Sequence, residues 1–245
     1  MRKEPFFVGD IVHVFNRGNR KQEIVRDDRD RWHFLQALYY FNDEYEPHRL
    51  FRELYDIWGR DSHTRIDRPG TWPSRQPIVD VLAFTLMDNH YHLILQETRD
   101  GGVTKFMRKI GTSMTNRFNT RHKETGRLFQ GPYKARRVDD DNYLRYLNVY
   151  VHIKNVCELY KGGIAGALRN FDDAFLFAVS YPYGSLGGYA GNGVQAQKII
   201  SPDMLKDQFA KNMEFKEFAR NCLEYMHFDE RAHIVSFDDA ENNAR

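Results

Sequence analysis

Runs of apolar residues divide the first 160 positions into strands and helices. β-Branched and apolar stretches predict strands at IVHVF (11–15), IVDVLAFTLM (78–87) and HYHLILQE (90–97), the last two joined by a tight turn at Asp88-Asn89. A further strand, kinked at Gly131-Pro132, is predicted over 127–138. Apolar residues at spacings of three and four predict helices after Asp27-Asp28, after Gly101-Gly102, and from about 141 to 155.

The order strand, helix, strand, strand, helix, strand, helix predicts an α+β fold. It is the order of a ferredoxin-like antiparallel sheet with helices on one face, with one more helix added. Residues 43–77 are polar and contain scattered prolines and glycines, so they predict an insertion with at most a short helix around FRELYDIW. We therefore predict a first domain over 1–160 and a loop-rich, helical C-terminal extension over 161–245.

The segment between residues 105 and 137 has an unusual distribution of charge. The whole chain carries a formal net charge of +2, but this segment has ten basic side chains and one acidic one, a local charge of about +9. Because a solvated helix face usually mixes its signs, such a stripe predicts a surface for a polyanion. The candidate nucleic-acid contacts are Lys105, Arg108, Arg117, Arg121, Lys134, Arg136 and Arg137.

Arg17, in the turn NRGN after the first strand, is a further candidate phosphate contact. A turn that needs Gly18 at positive φ explains the same motif nearly as well.

Composition excludes some classes of protein. No apolar stretch reaches the length of a membrane span, and no long apolar run follows the N-terminal MRKEPFFVGD. The two cysteines, Cys157 and Cys222, are far apart and suggest neither a disulfide framework nor a zinc knuckle. We expect a reducing, cytoplasmic setting and no membrane partner.

Two histidines, His90 and His92, alternate with a tyrosine in the strand at 90–97. Side chains two residues apart in a strand point to the same face, so both imidazoles can hold one divalent metal and leave positions open for substrate oxygens. Neighbouring strand histidines are also common without any metal, so the pattern alone leaves both interpretations open. Imidazole ligands favour zinc or manganese before magnesium.

A metal-bound phosphate needs a nucleophile. The chain has fourteen tyrosines, and the helix predicted over 141–155 carries Tyr143, Tyr146 and Tyr150. At steps of four, Tyr146, Tyr150 and Lys154 are expected on one helix face. Tyrosine is a poor nucleophile at its ordinary pKa near 10, but contact with a metal or a cation can activate it.

Five stretches of the chain, in order, resemble the single-tyrosine HUH transposases, which include the IS200-like and the REP-associated tyrosine transposases. They are HVFNRGN (13–19), LMDNHYHLIL (86–95), MRKIGTSMTNRFNTRHKETGRLFQGPYKARRV (107–138), DNYLRYLNVYVHIKN (141–155) and, more weakly, YPYGSLGGYAG (181–191).

The resemblance implies that His90 and His92 hold Mg²⁺ or Mn²⁺ and that Tyr150 is the nucleophile. The tyrosine would attack a phosphate of single-stranded or hairpin DNA, form a 5′-phosphotyrosine bond and free a 3′-OH. Attack by a DNA hydroxyl would then rejoin the strand. Short members of the family are dimers that exchange tyrosine helices and longer members can act as monomers, so a monomer and a homodimer both stay open.

The chain departs from the family at one position. The family usually has Asn or Gln four residues after the tyrosine as a third metal ligand, where this chain has Lys154, followed by Asn155. A protonated ammonium cannot ligate a cation, so Asn155 takes the place, another group substitutes, or the metal site is weakened. Lys154 becomes a candidate modulator that favours the phenolate of Tyr150.

Two other functions remain open. One is a catalytically weakened or inactive descendant that only binds nucleic acid, a reading that Lys154 favours. The other is a metal-dependent phosphodiesterase that uses water and forms no tyrosine adduct. His13, on the first strand, is expected to be a hydrogen-bonded strand histidine, with a helper role beside the two histidines as the alternative.

Overall fold

The computed structural model describes residues 5–210 and 212–228, which form two compact units. The first unit comprises the described residues up to Val81 together with Leu86–Arg137. The second comprises Leu82–Thr85 and the described residues from Val138 onward. The domain boundary predicted at residue 160 stays a prediction, because a compact packing unit and a functional domain need not coincide.

Four strands form one antiparallel sheet in the order β2-β3-β1-β4. Their bounds are Ile11–Arg17 (β1), Val79–Leu86 (β2), His90–Glu97 (β3) and Lys134–Val138 (β4). The first and third strands are central, as the split β-α-β order predicts. β1 and β3 pair antiparallel in a register that sets Phe15 opposite His92 and Arg17 opposite His90. The predicted α+β fold with an antiparallel sheet is confirmed.

Three helices accompany the sheet in the first unit: Asp28–Tyr40 (α1), Leu50–Trp58 (α2) and Gly102–His122 (α3). The Asp27 side chain caps α1 by accepting a hydrogen bond from the Asp30 backbone N–H at 3.1 Å. The Glu97 carboxylate accepts the first two N–H groups of α3, at 2.8 and 3.0 Å. α3 packs on β3 and on α1, as helices on one face of the sheet should.

The segment 43–77, predicted as an insertion, is mainly irregular chain around α2 and a 3-10 turn at Gly59–His63, with the predicted short helix present. The buried Asn42 joins the two ends of this segment by hydrogen bonds. Its Oδ1 accepts the backbone N–H groups of Ile78 and Val79 at 2.9 and 3.0 Å, and its Nδ2 donates to the Val79 carbonyl at 2.9 Å. The insertion therefore leaves and re-enters the fold at one fixed point.

β4 is shorter than predicted. Only Lys134–Val138 is a strand, whereas 127–133 is irregular apart from an isolated bridge between Phe129 and Gly18. Pro132 cannot donate a ladder hydrogen bond, so pairing begins only after it.

The second unit begins with the predicted tyrosine helix. It runs as Asp141–Val149 (α4), a π-helical segment at Tyr150–Lys154, and Asn155–Cys157 (α5). Asp140 caps α4 through its side chain, which accepts the Tyr143 N–H at 2.8 Å. The prediction of a helix to about residue 155 is confirmed, and its π-helical turn was not predicted.

The remainder of the second unit is more helical than the sequence suggested. Six further helices follow: Gly163–Arg169 (α6), Phe171–Ser180 (α7), Leu186–Tyr189 (α8), Val194–Ile199 (α9), Asp203–Ala210 (α10) and Asn212–Phe228 (α11). Glycines supply the turns between several of them, which explains why the segment looked loop-rich. Among the described residues, no helix has the length and hydropathy needed to cross a bilayer.

Candidate active site and nucleic-acid surface

His90 and His92 stand side by side at the start of β3, in the first unit. Their ring centroids are 5.3 Å apart and the ring planes are nearly perpendicular. His90 is half-buried and His92 is fully buried. A central strand with both neighbours paired is rigid, so it holds the two imidazoles in a fixed relation, as a metal site requires.

A neighbouring side chain engages one ring nitrogen of each histidine. His90 Nδ1 lies 2.6 Å from Asn89 Oδ1, and His92 Nδ1 lies 2.9 Å from His13 Nε2. An amide oxygen can only accept, so His90 carries its proton on Nδ1 and has its lone pair on Nε2, the form that ligates a metal. This donor chemistry fits a divalent cation.

The remaining ligands of such a cation must be of another kind. No group of three or more His, Cys, Asp or Glu side chains that could hold a metal ion occurs in the described part of the chain. Two imidazoles must therefore be completed by an amide, water or phosphate oxygens.

His13 is a buried, hydrogen-bonded histidine on β1, as expected from the sequence. Burial, together with the positive charge of Arg136, lowers the pKa of His13 to about 3, so this imidazole is neutral. Phe15 packs on both rings, with its centroid 4.9 Å from that of His13 and 5.6 Å from that of His92. The contact with His92 is compatible with the helper role, which stays a prediction.

Tyr150, in the second unit, opens the π-helical segment and is only 7% exposed. In an α-helix the N–H of residue i+4 bonds to the carbonyl of residue i, whereas in a π-turn the N–H of residue i+5 does so. Here the Asn155 backbone N–H donates to the Tyr150 carbonyl. Lys154 nevertheless lies beside the Tyr150 ring, as the expected spacing of Tyr146, Tyr150 and Lys154 at steps of four implies.

The π-turn brings Asn155 to the place one turn beyond Tyr150. Its Nδ2 also donates to the Tyr150 carbonyl, at 3.0 Å, and the side chain is buried. Its Oδ1 meets no hydrogen-bond donor among the described residues. A buried amide oxygen without a donor is costly, so it marks a position for a cation or a ligand donor.

Lys154 contacts both a carboxylate and the Tyr150 ring. Its Nζ lies 2.5 Å from Glu158 Oε1 and 5.1 Å from the centroid of the Tyr150 ring. The ammonium is thus beside the aromatic ring, where a modulator would stand, and it is tied to a carboxylate. Asn155, and not Lys154, therefore has a buried side-chain oxygen without a hydrogen-bond donor among the described residues.

The basic stripe separates into paired and unpaired side chains. Lys105 pairs with Glu44 at 3.1 Å and Lys109 with Glu46 at 2.9 Å. Arg121 binds Asp27 and the buried Asp30. The fold thus already offsets the positive charges of Lys105 and Arg121, two of the predicted DNA contacts.

Three of the other predicted contacts lack a carboxylate partner among the described residues. Arg108 and Arg117 on α3 and Lys134 on β4 form no ion pair with any residue that the structure describes. Arg136 and Arg137 are exposed on β4. Their role in DNA binding stays a prediction.

Arg17 is half-buried at the end of β1, opposite His90. The expected positive φ at Gly18 is wrong, since its φ is −59°. Glycine is required there because a Cβ would lie 1.9 Å from the Gln22 carbonyl oxygen.

Two cavities line α3 within the first unit. One, of about 780 Å³, lies between α3 and the insertion and is lined by Arg108, Arg117 and His48. The other, of about 650 Å³, is lined by Arg108, Tyr133 and the buried Asn16. Sequence reasoning missed the insertion's share of the first cavity and the role of Asn89, although Asn89 directly precedes the histidine pair.

Comparison with a protein-family model supports the resemblance seen in the sequence. The family model described as "Transposase IS200 like" matches residues 74–154, a segment that contains both strand histidines and Tyr150. The resemblance is thereby confirmed. No curated protein sequence matches the chain. A solved REP-associated tyrosine transposase bound to a REP hairpin is similar, with a TM-score of 0.43 and 11% identity over 78% of this chain and 84% of that chain.

Proposed function

Since residues 74–154 match the IS200-like transposases, we propose that this protein cleaves and rejoins single-stranded or hairpin DNA through a covalent bond to Tyr150. The observation that carries the proposal is the histidine pair on β3, in which neighbouring side chains hold both Nδ1 atoms. The π-turn after Tyr150, which supplies a buried amide oxygen where the family has its third ligand, supports it.

His90 and His92, with Asn155 as the third protein ligand, would hold Mg²⁺ or Mn²⁺. When bound, the cation supplies Lewis acidity, polarising the scissile phosphate and offsetting its charge. Imidazole and amide donors suit Mn²⁺ at least as well as Mg²⁺.

In the proposed reaction, Tyr150 Oη bonds to phosphorus as the bond from phosphorus to the 3′-oxygen breaks. The phenol loses its proton, and the departing 3′-oxygen gains one and becomes a 3′-OH. The 5′-phosphate stays on the tyrosine as a phosphodiester. No water is consumed, so attack by a 3′-OH reverses the step and rejoins DNA.

Other side chains assist the reacting tyrosine and the DNA. The Lys154 ammonium beside the Tyr150 ring favours the phenolate over the phenol. Arg108 and Arg117 would contact backbone phosphates, which fixes the position of the strand without reading its sequence.

A covalent adduct is the direct test. Labelled single-stranded DNA from the flanks of the gene is incubated with the protein and Mg²⁺ or Mn²⁺, and a denaturing gel separates protein-linked from free DNA. Tyr146→Phe is the matched control for Tyr150→Phe, because both tyrosines lie on one helix. We expect the adduct in the wild type and in Tyr146→Phe, and none in Tyr150→Phe.

The outcomes separate the other functions. An adduct that persists in Tyr150→Phe and maps by peptide mass spectrometry to another tyrosine would overturn the assignment. DNA binding with no adduct under any metal would show the non-catalytic descendant. Cleaved ends that carry a 5′-phosphate but no protein would show a phosphodiesterase that uses water.

A further inference from the structure

We propose that His13 is a positioning residue that holds His92 in the tautomer with its proton on Nδ1. The proposal rests on the role of His92 as a metal ligand in the proposed function. It adds a residue from a different strand, 79 positions away in sequence, to the two-histidine site.

The contact between the two rings is fixed by the central strands. His13 Nε2 and His92 Nδ1 are 2.9 Å apart, and the ring planes are within 17° of each other. Both side chains are buried, with exposures of 1% and 0%. β1 is paired with β3 along its whole length, which fixes the separation of the two backbone positions, and burial of both rings limits their movement.

The direction of this hydrogen bond decides whether His92 can ligate a metal. A neutral imidazole has one N–H and one lone pair. If His13 Nε2 accepts, the proton of His92 is on Nδ1 and its lone pair is on Nε2. If His13 donates instead, the proton of His92 is on Nε2 and that atom cannot bind a cation.

His90 has the same arrangement, but the direction of its hydrogen bond is fixed by the partner. The Asn89 amide oxygen, 2.6 Å from His90 Nδ1, can only accept. His13 provides for the buried His92 the acceptor that Asn89 provides for the half-buried His90. Metal-ligating histidines usually have such a partner on the second ring nitrogen, which fixes the tautomer and the orientation of the ring.

Three variants separate this role from simple packing. His13→Phe removes the acceptor but keeps a ring, and His13→Gln keeps an acceptor on a flexible side chain. Phe15→Leu is the control, because Phe15 packs on both rings and offers no acceptor. Thermal unfolding of each variant verifies that it is folded.

Two measurements that do not depend on DNA cleavage report on the site. Long-range ¹H–¹⁵N NMR of the His92 ring, with and without Mg²⁺, shows which nitrogen carries the proton. Titration calorimetry measures the affinity for Mn²⁺. We expect Nδ1–H in the wild type both without and with Mg²⁺, a loss of Mn²⁺ affinity of roughly 10- to 100-fold in His13→Phe, and near wild-type affinity in His13→Gln and Phe15→Leu.

The results distinguish failure of this proposal from failure of the proposed function. His92 with its proton on Nε2 in the metal-free wild type, or a folded His13→Phe that binds Mn²⁺ as tightly as the wild type, would overturn the role of His13 and leave the metal site standing. Equal losses of Mn²⁺ affinity in His13→Phe and Phe15→Leu would show that His13 acts only through packing. That result would also overturn its role as a positioning residue. A wild type and a His90→Ala variant that both fail to bind Mn²⁺ would overturn the metal site and this proposal together.

Discussion

Arg108 and Arg117 are expected to carry a measurable share of the salt dependence of DNA binding. Both line the cavity of about 780 Å³ beside α3. Neither forms an ion pair with another residue in the described part of the chain, whereas Lys105 and Lys109 on the same helix are paired to carboxylates. Arg108 and Arg117 are therefore the side chains able to exchange counterions for DNA phosphates.

The size of the effect follows from the number of contacts. Each phosphate contact contributes about 0.7 to the slope of log affinity against log salt for a single strand, so Arg108→Gln with Arg117→Gln should lower the slope by about 1.4. Between 50 and 200 mM salt, the double variant should then lose about 7-fold less affinity than the wild type does. Lys105→Gln with Lys109→Gln removes the same formal charge and should leave the slope nearly unchanged.

Fluorescence anisotropy with a labelled single strand, titrated at several salt concentrations, gives the slopes. Thermal unfolding of both double variants verifies that each is folded. Arg121 is not a suitable probe, because it binds Asp27 and the buried Asp30, and its removal would take a guanidinium away from a buried carboxylate. An unchanged slope in the arginine variant, or an equal fall in the lysine variant, would refute the reasoning and move the DNA path away from this face of α3.

Three further predictions follow from single side chains. His90→Ala should abolish the adduct and leave stability nearly unchanged. His92→Ala should abolish the adduct and also lower the melting temperature, because His92 is buried. Cleavage by either variant at the wild-type level on the gel would reject the two-histidine site. Lys154→Asn should keep or improve Mn²⁺ affinity and raise the pH optimum of adduct formation, since loss of the cation beside Tyr150 raises the pKa of the phenol; an unchanged pH profile would contradict this. Burial lowers the pKa of His33 from 6.5 to about 3. Its contribution to stability is therefore complete above pH 6.5 and is lost as pH falls towards 3, by about 2 kcal/mol at pH 5. Urea unfolding at pH 7 and pH 5 should show a weaker pH dependence in His33→Gln than in the wild type, and equal dependence in both would exclude this role.

Much of the sheet could be predicted because its determinants are local. The apolar run at 78–87, the turn at Asp88-Asn89 and the run at 90–97 define a hairpin without any distant contact. Asp27 and Asp140 mark helix starts by chemistry that the sequence displays directly. The start of β4 was wrong because pairing there depends on the partner strand, and a proline at 132 only shows where pairing cannot occur.

The π-turn could not be predicted from periodicity. Apolar positions at spacings of three and four fit both an α-helix and an α-helix with one residue inserted, since the insertion shifts the pattern by a single step. The sequence therefore placed Lys154 under Tyr150 and raised the possibility of a lost ligand. In the structure it is Asn155 whose backbone and side chain both donate to the Tyr150 carbonyl, and its role as a ligand stays a proposal.

The histidine pair shows what a short motif leaves undetermined. Two alternate histidines in a strand fix only that both side chains share a face, and this is equally true of a metal site and of an ordinary strand. What separates the two is whether each Nδ1 has an acceptor, because only then is the proton kept off Nε2. For His90 that acceptor is its neighbour Asn89, which the sequence displays. For His92 the acceptor is on another strand, and only the pairing of β1 with β3 brings it within 2.9 Å. The chemistry of the motif therefore depends on sheet register, which is why the fold had to be known before the two histidines could be interpreted as ligands.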